Sequence, residues 1–301
     1  MRIAVNTRLL LKDKLEGIGW YTYETLIRIV KAHPEHEFYF LFDRPYHQEF
    51  IFASNVHPVL VNPPTRHPIL WYAWFELRLP KILRKLHIDL FLSPDGFLSL
   101  RSNIPSIAVI HDINFEHHPK DLKKSHRLFY RHFFRKYAQK AKRIVTVSEY
   151  SKNDIANLYS VSKNKIDVSL NGVNPNFHPI GTSQQIEVKN QYSNGHDYFL
   201  FVGALHPRKN IKRMLQAFDI FKEETKSTNK LLIVGAKMWW NAELKSSFEN
   251  FFYHKVSYRI DLSKLLVLPL DFWIEISLFS MILGSCMFKY KGRCVSLLKS
   301  V

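Results

Sequence analysis

Gly203-Ala-Leu-His-Pro-Arg-Lys-Asn-Ile211 follows directly on the apolar run Tyr198-Phe-Leu-Phe-Val202, and the junction between the two decides the fold. Five apolar residues in a row read as a strand buried on both faces, and Ile211 onward carries a helical pattern. A small residue after the strand lets backbone approach a ligand, and a helix start offers unpaired N–H groups at the positive end of the dipole. Arg208 can bind two oxygens side by side, while Lys209 supplies a mobile point charge. Together they suit a diphosphate. An ordinary strand followed by a basic first turn would leave the same trace, so the rest of the chain must discriminate.

Working outward, further apolar runs lie near Ile3, at Phe38 to Phe42, Leu90 to Leu92, Ile107 to Ile110, Ile144 to Val147 and Ile166 to Leu170, with helical patterns between most of them. Strands alternating with helices predict an α/β fold with parallel sheets. A chain of 301 residues with 46% hydrophobic side chains can build two modest cores, so two Rossmann-like domains are expected. Residues 181–195 are polar, carry Gly181, Ser183, Asn190, Ser193 and Asn194, and read as the linker between residues 1–180 and a second domain starting at 196.

Lys and Arg number 43 against 26 Asp and Glu, a net charge of +17 that favours anionic partners without naming them. Much of it is local. Between Lys120 and Arg143 stand ten Lys or Arg and one acid, Asp121, with Lys123, Arg127, Arg131 and Arg135 at four-residue steps and Phe129, Phe133 and Tyr137 on another side. Trp71-Tyr-Ala-Trp-Phe75, followed by Arg78, Lys81, Arg84 and Lys85, repeats the combination. Three readings fit: a solvated face over a core stripe, a surface that docks on anionic lipid, or a nucleic-acid patch. No zinc finger or aromatic RNA-binding strand accompanies the last.

The two cysteines, Cys286 and Cys294, exclude a disulfide framework. Arg2 leads straight into a strand with no basic-then-apolar leader, so a cytoplasmic protein is expected. Among fifteen histidines, neither the adjacent His117 and His118 nor His126 and His132 share a helical face, and His33, His36, His57 and His67 read as surface, so no metal is predicted.

The junction, continued as Lys212-Arg-Met-Leu-Gln-Ala-Phe218, resembles the donor-phosphate motif of retaining family-4 (group 1) glycosyltransferases of the bacterial type, which have the GT-B fold. Four further segments agree: Arg2-Ile-Ala-Val-Asn6 with the loop Gly17-Ile-Gly19, His111-Asp112 closing Ile107-Ala-Val-Ile110, Thr146-Val-Ser-Glu-Tyr-Ser151, and Asn171-Gly-Val-Asn-Pro-Asn-Phe177. The resemblance covers about residues 1 to 250. It implies transfer of a sugar from a nucleotide diphosphate-sugar to a polysaccharide or lipid-linked acceptor, with an acceptor-side N-terminal domain, a nucleotide-sugar-binding C-terminal domain and no metal or other cofactor. Arg208 and Lys209 would stabilise the leaving diphosphate, helped by N–H groups around Gly17 and Gly19. His111 would lie beneath the donor sugar. Asp112 would position His111 or meet the acceptor; capping a helix or closing a turn is the other reading.

One family feature is missing. The paired glutamates eight positions apart do not occur in the second half, where Glu275 has Leu283 eight positions on, while Glu16 and Glu24 have the spacing but flank the first glycine loop. Residues 251–301 hold only three acids, Asp261, Asp271 and Glu275, and lose the alternation of strands and helices. The apolar run Leu265 to Phe288 is almost long enough to span a bilayer, yet Pro269, Asp271 and Glu275 oppose insertion. The expectation is a partial donor domain over 196–250 and an atypical apolar tail, such as out-of-frame translation would give, with impaired activity. The alternative is a non-catalytic basic protein that binds anionic membrane or nucleic acid.

Overall fold

The computed structural model describes residues 1–172, 178–203, 205, 209–235, 259–260, 287–289 and 293–295. The chain divides into two compact units, Met1–Gly172 and Val173–Val301. The first is a parallel sheet of seven strands, β1 (Arg2–Asn6), β2 (Glu37–Phe42), β3 (Val56–Leu60), β4 (Leu90–Ser93), β5 (Ser106–Val109), β6 (Arg143–Thr146) and β7 (Ile166–Val168), in the order β3-β2-β1-β4-β5-β6-β7. Chain order runs outward from β1 in one direction to β3 and in the other from β4 to β7. A topological switch therefore falls between β1 and β4, whose carboxyl ends open a crevice where ligands bind in such folds.

Both faces of this sheet are covered. Val5 and Phe40 pack with Leu26 and Val30 of α1 (Gly17–Ala32), in which Gly19, Thr22, Leu26 and Val30 recur at helical spacing on the buried side. Ala4 and Leu41 face the other way, into a core formed with α2 (Pro68–Tyr72), the π-helical turn Ala73–Arg78, α3 (Leu79–Lys85), α4 (Asn114–His117), α5 (Lys124–Lys140) and α6 (Glu149–Tyr159). That core is aromatic. Trp74, Phe75, Phe97 and Tyr137 are fully buried, and Trp74 and Trp71 donate their indole N–H groups to Val61 O and Thr65 O, both at 2.8 Å. Ser148 caps α6 by accepting from Ser151 N–H at 3.1 Å, and Ser160 ends it in the left-handed region at φ 54°.

The aromatic residues of α5 belong to the core: Phe129, Phe134 and Tyr137 are buried and Phe133 is partly so, while Lys123, Lys124, Arg131 and Arg135 are exposed. Strand β3 has no counterpart in the sequence reading, because Pro58 interrupts its pattern; as an edge strand it needs no donor there on its open side. The alternation of β5 stops at Val109, one residue short of the predicted Ile110, and β7 stops at Val168 rather than Leu170, which is 74% exposed.

The second unit holds α7 (Thr182–Ser193), β8 (Tyr198–Val202), α8 (Ile211–Thr225) and β9 (Lys230–Val234), with Phe199, Phe201, Leu231 and Ile233 packed on Leu215 and Phe218 of α8. Its sheet has the order β10-β9-β8-β11-β12, where β10 is Arg259–Ile260, β11 is Met287–Lys289 and β12 is Arg293–Val295. Two expectations change here. Most of residues 181–195 form a helix, because Gln, Glu and Lys dominate between Gly181, whose N–H bonds Gln184 at 3.2 Å, and Asn194, left-handed at φ 53°. The stretch read as lacking strands supplies β11, which pairs antiparallel with β8 and occupies the edge that parallel pairing left open. The paired-glutamate position Glu275 and the apolar run 265–286 lie outside the described residues.

Candidate functional site

At the switch point, the residues that end β1 and β4 are polar and buried. Asn6 donates from Nδ2 to Asp95 Oδ1 at 2.8 Å and to Ser93 Oγ at 3.1 Å, and Ser93 Oγ–H donates to the same carboxylate at 3.0 Å. Arg8 completes the set: its Nε lies 2.6 Å from Asp95 Oδ2, its Nη1 reaches Thr65 Oγ1 at 3.3 Å, and its guanidinium stacks 4.3 Å over the Phe97 ring. Thr65 in turn donates from N and Oγ1 to Asp43 at 2.6 and 2.5 Å, and Arg44 beside it holds that carboxyl below its usual range despite burial. The floor of the crevice is thus a closed polar network in a low-dielectric setting, where satisfied bonds are strong and a broken one is costly.

The glycine loop leads into α1. A Cβ at Gly19 would sit 3.0 Å from Leu9 O and 3.2 Å from the Leu15 side chain, so glycine lets the loop close on α1 without pushing either neighbour back by a few tenths of an ångström. The first bond of the helix runs from Trp20 N–H to Glu16 O at 2.8 Å, and the Glu16 side chain makes no capping bond. The amides of Gly17, Ile18 and Gly19 therefore precede the ladder at the positive end of a 16-residue helix.

His111 follows β5 by two residues. Its Nε2 lies 2.9 Å from Pro94 O, which can only accept, so Nε2 carries the proton and Nδ1 is an acceptor. Nδ1 is buried and has no hydrogen-bond partner among the described residues. Burial holds this imidazole below its usual range, against the opposing pull of the Pro94 carbonyl and of Asp112 and Asp95. Tyr21 of α1 meets the ring edge-on, 4.8 Å between centroids, which brings the glycine-loop helix and the histidine together. Asp112 is exposed and accepts from Asn114 N–H at 3.0 Å, the turn-closing bond offered as its other reading.

In the second unit, Gly203 adopts φ 151°, a conformation that favours glycine, and donates its N–H to Val234 O at 2.9 Å. Asn210, left-handed at φ 52°, precedes α8 without a side-chain cap, and Lys209 is half-buried beside it. Arg208 lies outside the described residues.

Sequence reasoning did not single out Asn6, Arg8, Asp95 or Tyr130. The signal was there in Asn6-Thr-Arg8 and Ser93-Pro-Asp95, polar residues placed immediately after apolar strands. Tyr130 was masked by its aromatic neighbours on α5; burial raises its phenol above the usual range, and Arg8, Asp95 and Asp112 all act on it. On the outer side of α5, Lys124, Arg127, Leu128, Arg131 and His132 line a shallow depression of about 590 Å³, and Leu128 is 74% exposed. Among the described residues no helix is long and apolar enough to cross a membrane.

Comparison with known proteins follows the same division. Residues 15–177 match the model of Glycosyltransferase Family 4 and residues 183–267 that of Glycosyl transferases group 1, so residues 251–267 of the supposed tail fall within the second family domain. O-antigen chain mannosyltransferase B of Escherichia coli is 25% identical over 244 residues, 76% of this chain and 63% of the relative. O-antigen chain mannosyltransferase RfbU of Salmonella typhimurium is 26% identical over 229 residues, 71% and 59%. The chain thus spans about three fifths of the length of these relatives. Among solved structures, Anabaena HepE in complex with UDP and glucose superposes with a TM-score of 0.58 at 15% identity, covering 86% of this chain and 69% of the other. The lipopolysaccharide outer core galactosyltransferase WaaB, in its apo form, gives 0.52 at 13% identity over 90% and 72%. These likenesses establish a GT-B fold.

Proposed function

Because the chain belongs to glycosyltransferase family 4, we propose that it transfers a sugar, mannose first among candidates, from a nucleotide diphosphate-sugar to a growing polysaccharide or lipid-linked acceptor with retention at the anomeric carbon. The observation that carries this reading is His111. A neutral imidazole with a buried, uncommitted Nδ1 at the carboxyl edge of the sheet suits a sugar hydroxyl as its donor partner. The positive end of α1, where Gly17 is half-buried and Gly19 is buried behind it, suits phosphate oxygens through its free backbone N–H groups, and Lys209, with Arg208 beside it in sequence, suits the leaving diphosphate. In this mechanism negative charge builds on the departing phosphate while the sugar passes through an oxocarbenium-like state. The protein contributes electrostatic placement and needs no metal or cofactor for the donor. Asp112 meets the acceptor with the carboxylate oxygen that the Asn114 turn leaves over.

The basic face of α5, with Leu128 projecting from it, supports a peripheral site of action on an anionic membrane from the cytoplasmic side. The same face alone would serve a non-catalytic binder of anionic surfaces. Incubation of the chain with a panel of labelled nucleotide-sugars and lipid-linked oligosaccharide acceptors separates the two. Transfer with unchanged anomeric configuration, read by NMR of the product, is the expected result. Absence of any melting shift with every nucleoside diphosphate, alongside retained vesicle binding, would leave the binder.

A further inference from the structure

The turn His33-Pro-Glu-His36 joins α1 to β2 at the amino edge of the first sheet, the edge away from the switch-point crevice. It gathers the imidazoles of His33 and His36, which read as surface from sequence, with the carboxylate of Glu35. His33 Nδ1 lies 3.1 Å and His36 Nε2 3.6 Å from the same Glu35 oxygen, and one ligand atom from each of the three residues lies within 4.8 Å of the others. The two rings stack, 5.6 Å between centroids and 11° between planes.

This arrangement rests on a fixed backbone. His33 N–H bonds Ile29 O at 3.1 Å, and His36 N–H bonds His33 O at 3.2 Å. The buried Asn55 amide reaches His36 O at 3.0 Å, His33 O at 3.2 Å and Val30 O at 3.4 Å, so one side chain clamps three carbonyls of the turn. His36 Nδ1 is buried and has no hydrogen-bond partner among the described residues, so no internal bond there commits the tautomer of that ring.

We infer that His33, Glu35 and His36 form a binding site for a divalent transition-metal ion of the zinc class. Donors in a tetrahedral shell with bonds of about 2.1 Å stand roughly 3.4 Å apart, and the two separations to Glu35 bracket that value. The third closes by rotation of His33, whose side chain is 53% exposed. Two neutral imidazoles and one carboxylate suit zinc, nickel or copper(II) over magnesium or calcium, which take all-oxygen shells. Water completes the shell. The ion would tie the end of α1 to the start of β2, far along both elements from Gly17 and from the carboxyl edge, so its effect falls on stability.

Calorimetric titration of the chain with zinc chloride, paired with thermal melting, tests this. Expected are one equivalent of zinc bound, a rise in melting temperature reversed by EDTA, and no such rise with magnesium. His33→Ala and His36→Ala should each weaken binding roughly tenfold or more. His57→Ala, which removes the separate exposed contact of His57 with Glu37, should leave it unchanged. Circular dichroism and the zinc-free melting curve establish that each variant is folded. Absence of zinc binding by the wild type, or a folded His33→Ala/His36→Ala variant that titrates like it, overturns the assignment.

Discussion

The carboxyl edge of the first sheet and the β8–α8 junction of the second unit both end strands in polar chemistry, by different means. The first is built from side chains: Asn6, Arg8, Ser93 and Asp95 hold one another in a buried network, and His111 is held by the neighbouring Pro94 carbonyl and by Tyr21 of α1. The second is built from backbone: Gly203 at φ 151°, Asn210 at φ 52° and the uncapped start of α8, with cations added in sequence. A site made of interlocked side chains should fail through stability when altered. One made of backbone should tolerate side-chain changes structurally and fail through function.

The sharpest test of that contrast is Asp95→Ala, which leaves Arg8 buried beside Phe97 with no counter-charge; loss of one partner from a buried pair should cost about 3–5 kcal/mol in urea unfolding. A loss under about 1 kcal/mol would mean that water already screens the pair. Lys209→Ala should do the opposite, changing unfolding little while raising the transfer barrier by about 2.7–4 kcal/mol, the scale of a lost oxyanion donor. If kcat is unaffected, the charge does not meet the leaving group. Gly203→Val tests the backbone side of the comparison directly: holding a branched residue at that φ should cost of order 1–3 kcal/mol, seen as a lower denaturation midpoint.

His111 supplies a pH test. Burial lowers its folded-state value, so as pH falls through the ordinary imidazole range near 6.5 the unfolded chain takes up a proton before the folded one does. Stability should therefore fall with acidification across that window, level off below the depressed value, and be flat above it. His111→Gln, which keeps a donor for Pro94 O, should remove this component from the difference between wild-type and variant curves. An unchanged pH profile would place the imidazole in contact with water. The smallest effect belongs to Arg127, Arg131 and Arg135 replaced together by Gln: stability within about 0.5 kcal/mol of wild type, but weaker sedimentation with anionic vesicles at low salt.

Legibility followed the same line between backbone and side chain. Apolar runs located β1, β2, β4, β5, β6 and β7 because both faces of a parallel sheet are buried and the signal is continuous. They missed β3, where Pro58 breaks the run, and β11, whose place beside β8 is a long-range pairing that no local pattern encodes. The places of His111 just after β5 and of Gly17-Ile-Gly19 at the start of α1 were legible because each is a local motif at the end of one element. Arg8 with Asp95, and His33 with His36 and Glu35, were not, since ion pairs across 87 residues and ring orientation in a turn depend on the folded chain.

The edge strands of the seven-stranded sheet have a consequence for how this molecule behaves when concentrated on a surface. Proline at position 58 deprives β3 of one donor in the middle of its outer row, and β7 at the other margin is only three residues long, with Asp167 bound to Arg143 from β6. Neither margin offers a second copy an uninterrupted ladder to extend. Crowding that would drive flat, long-edged sheets into fibres should leave this unit as separate particles, and basic repulsion across α5 would reinforce the separation.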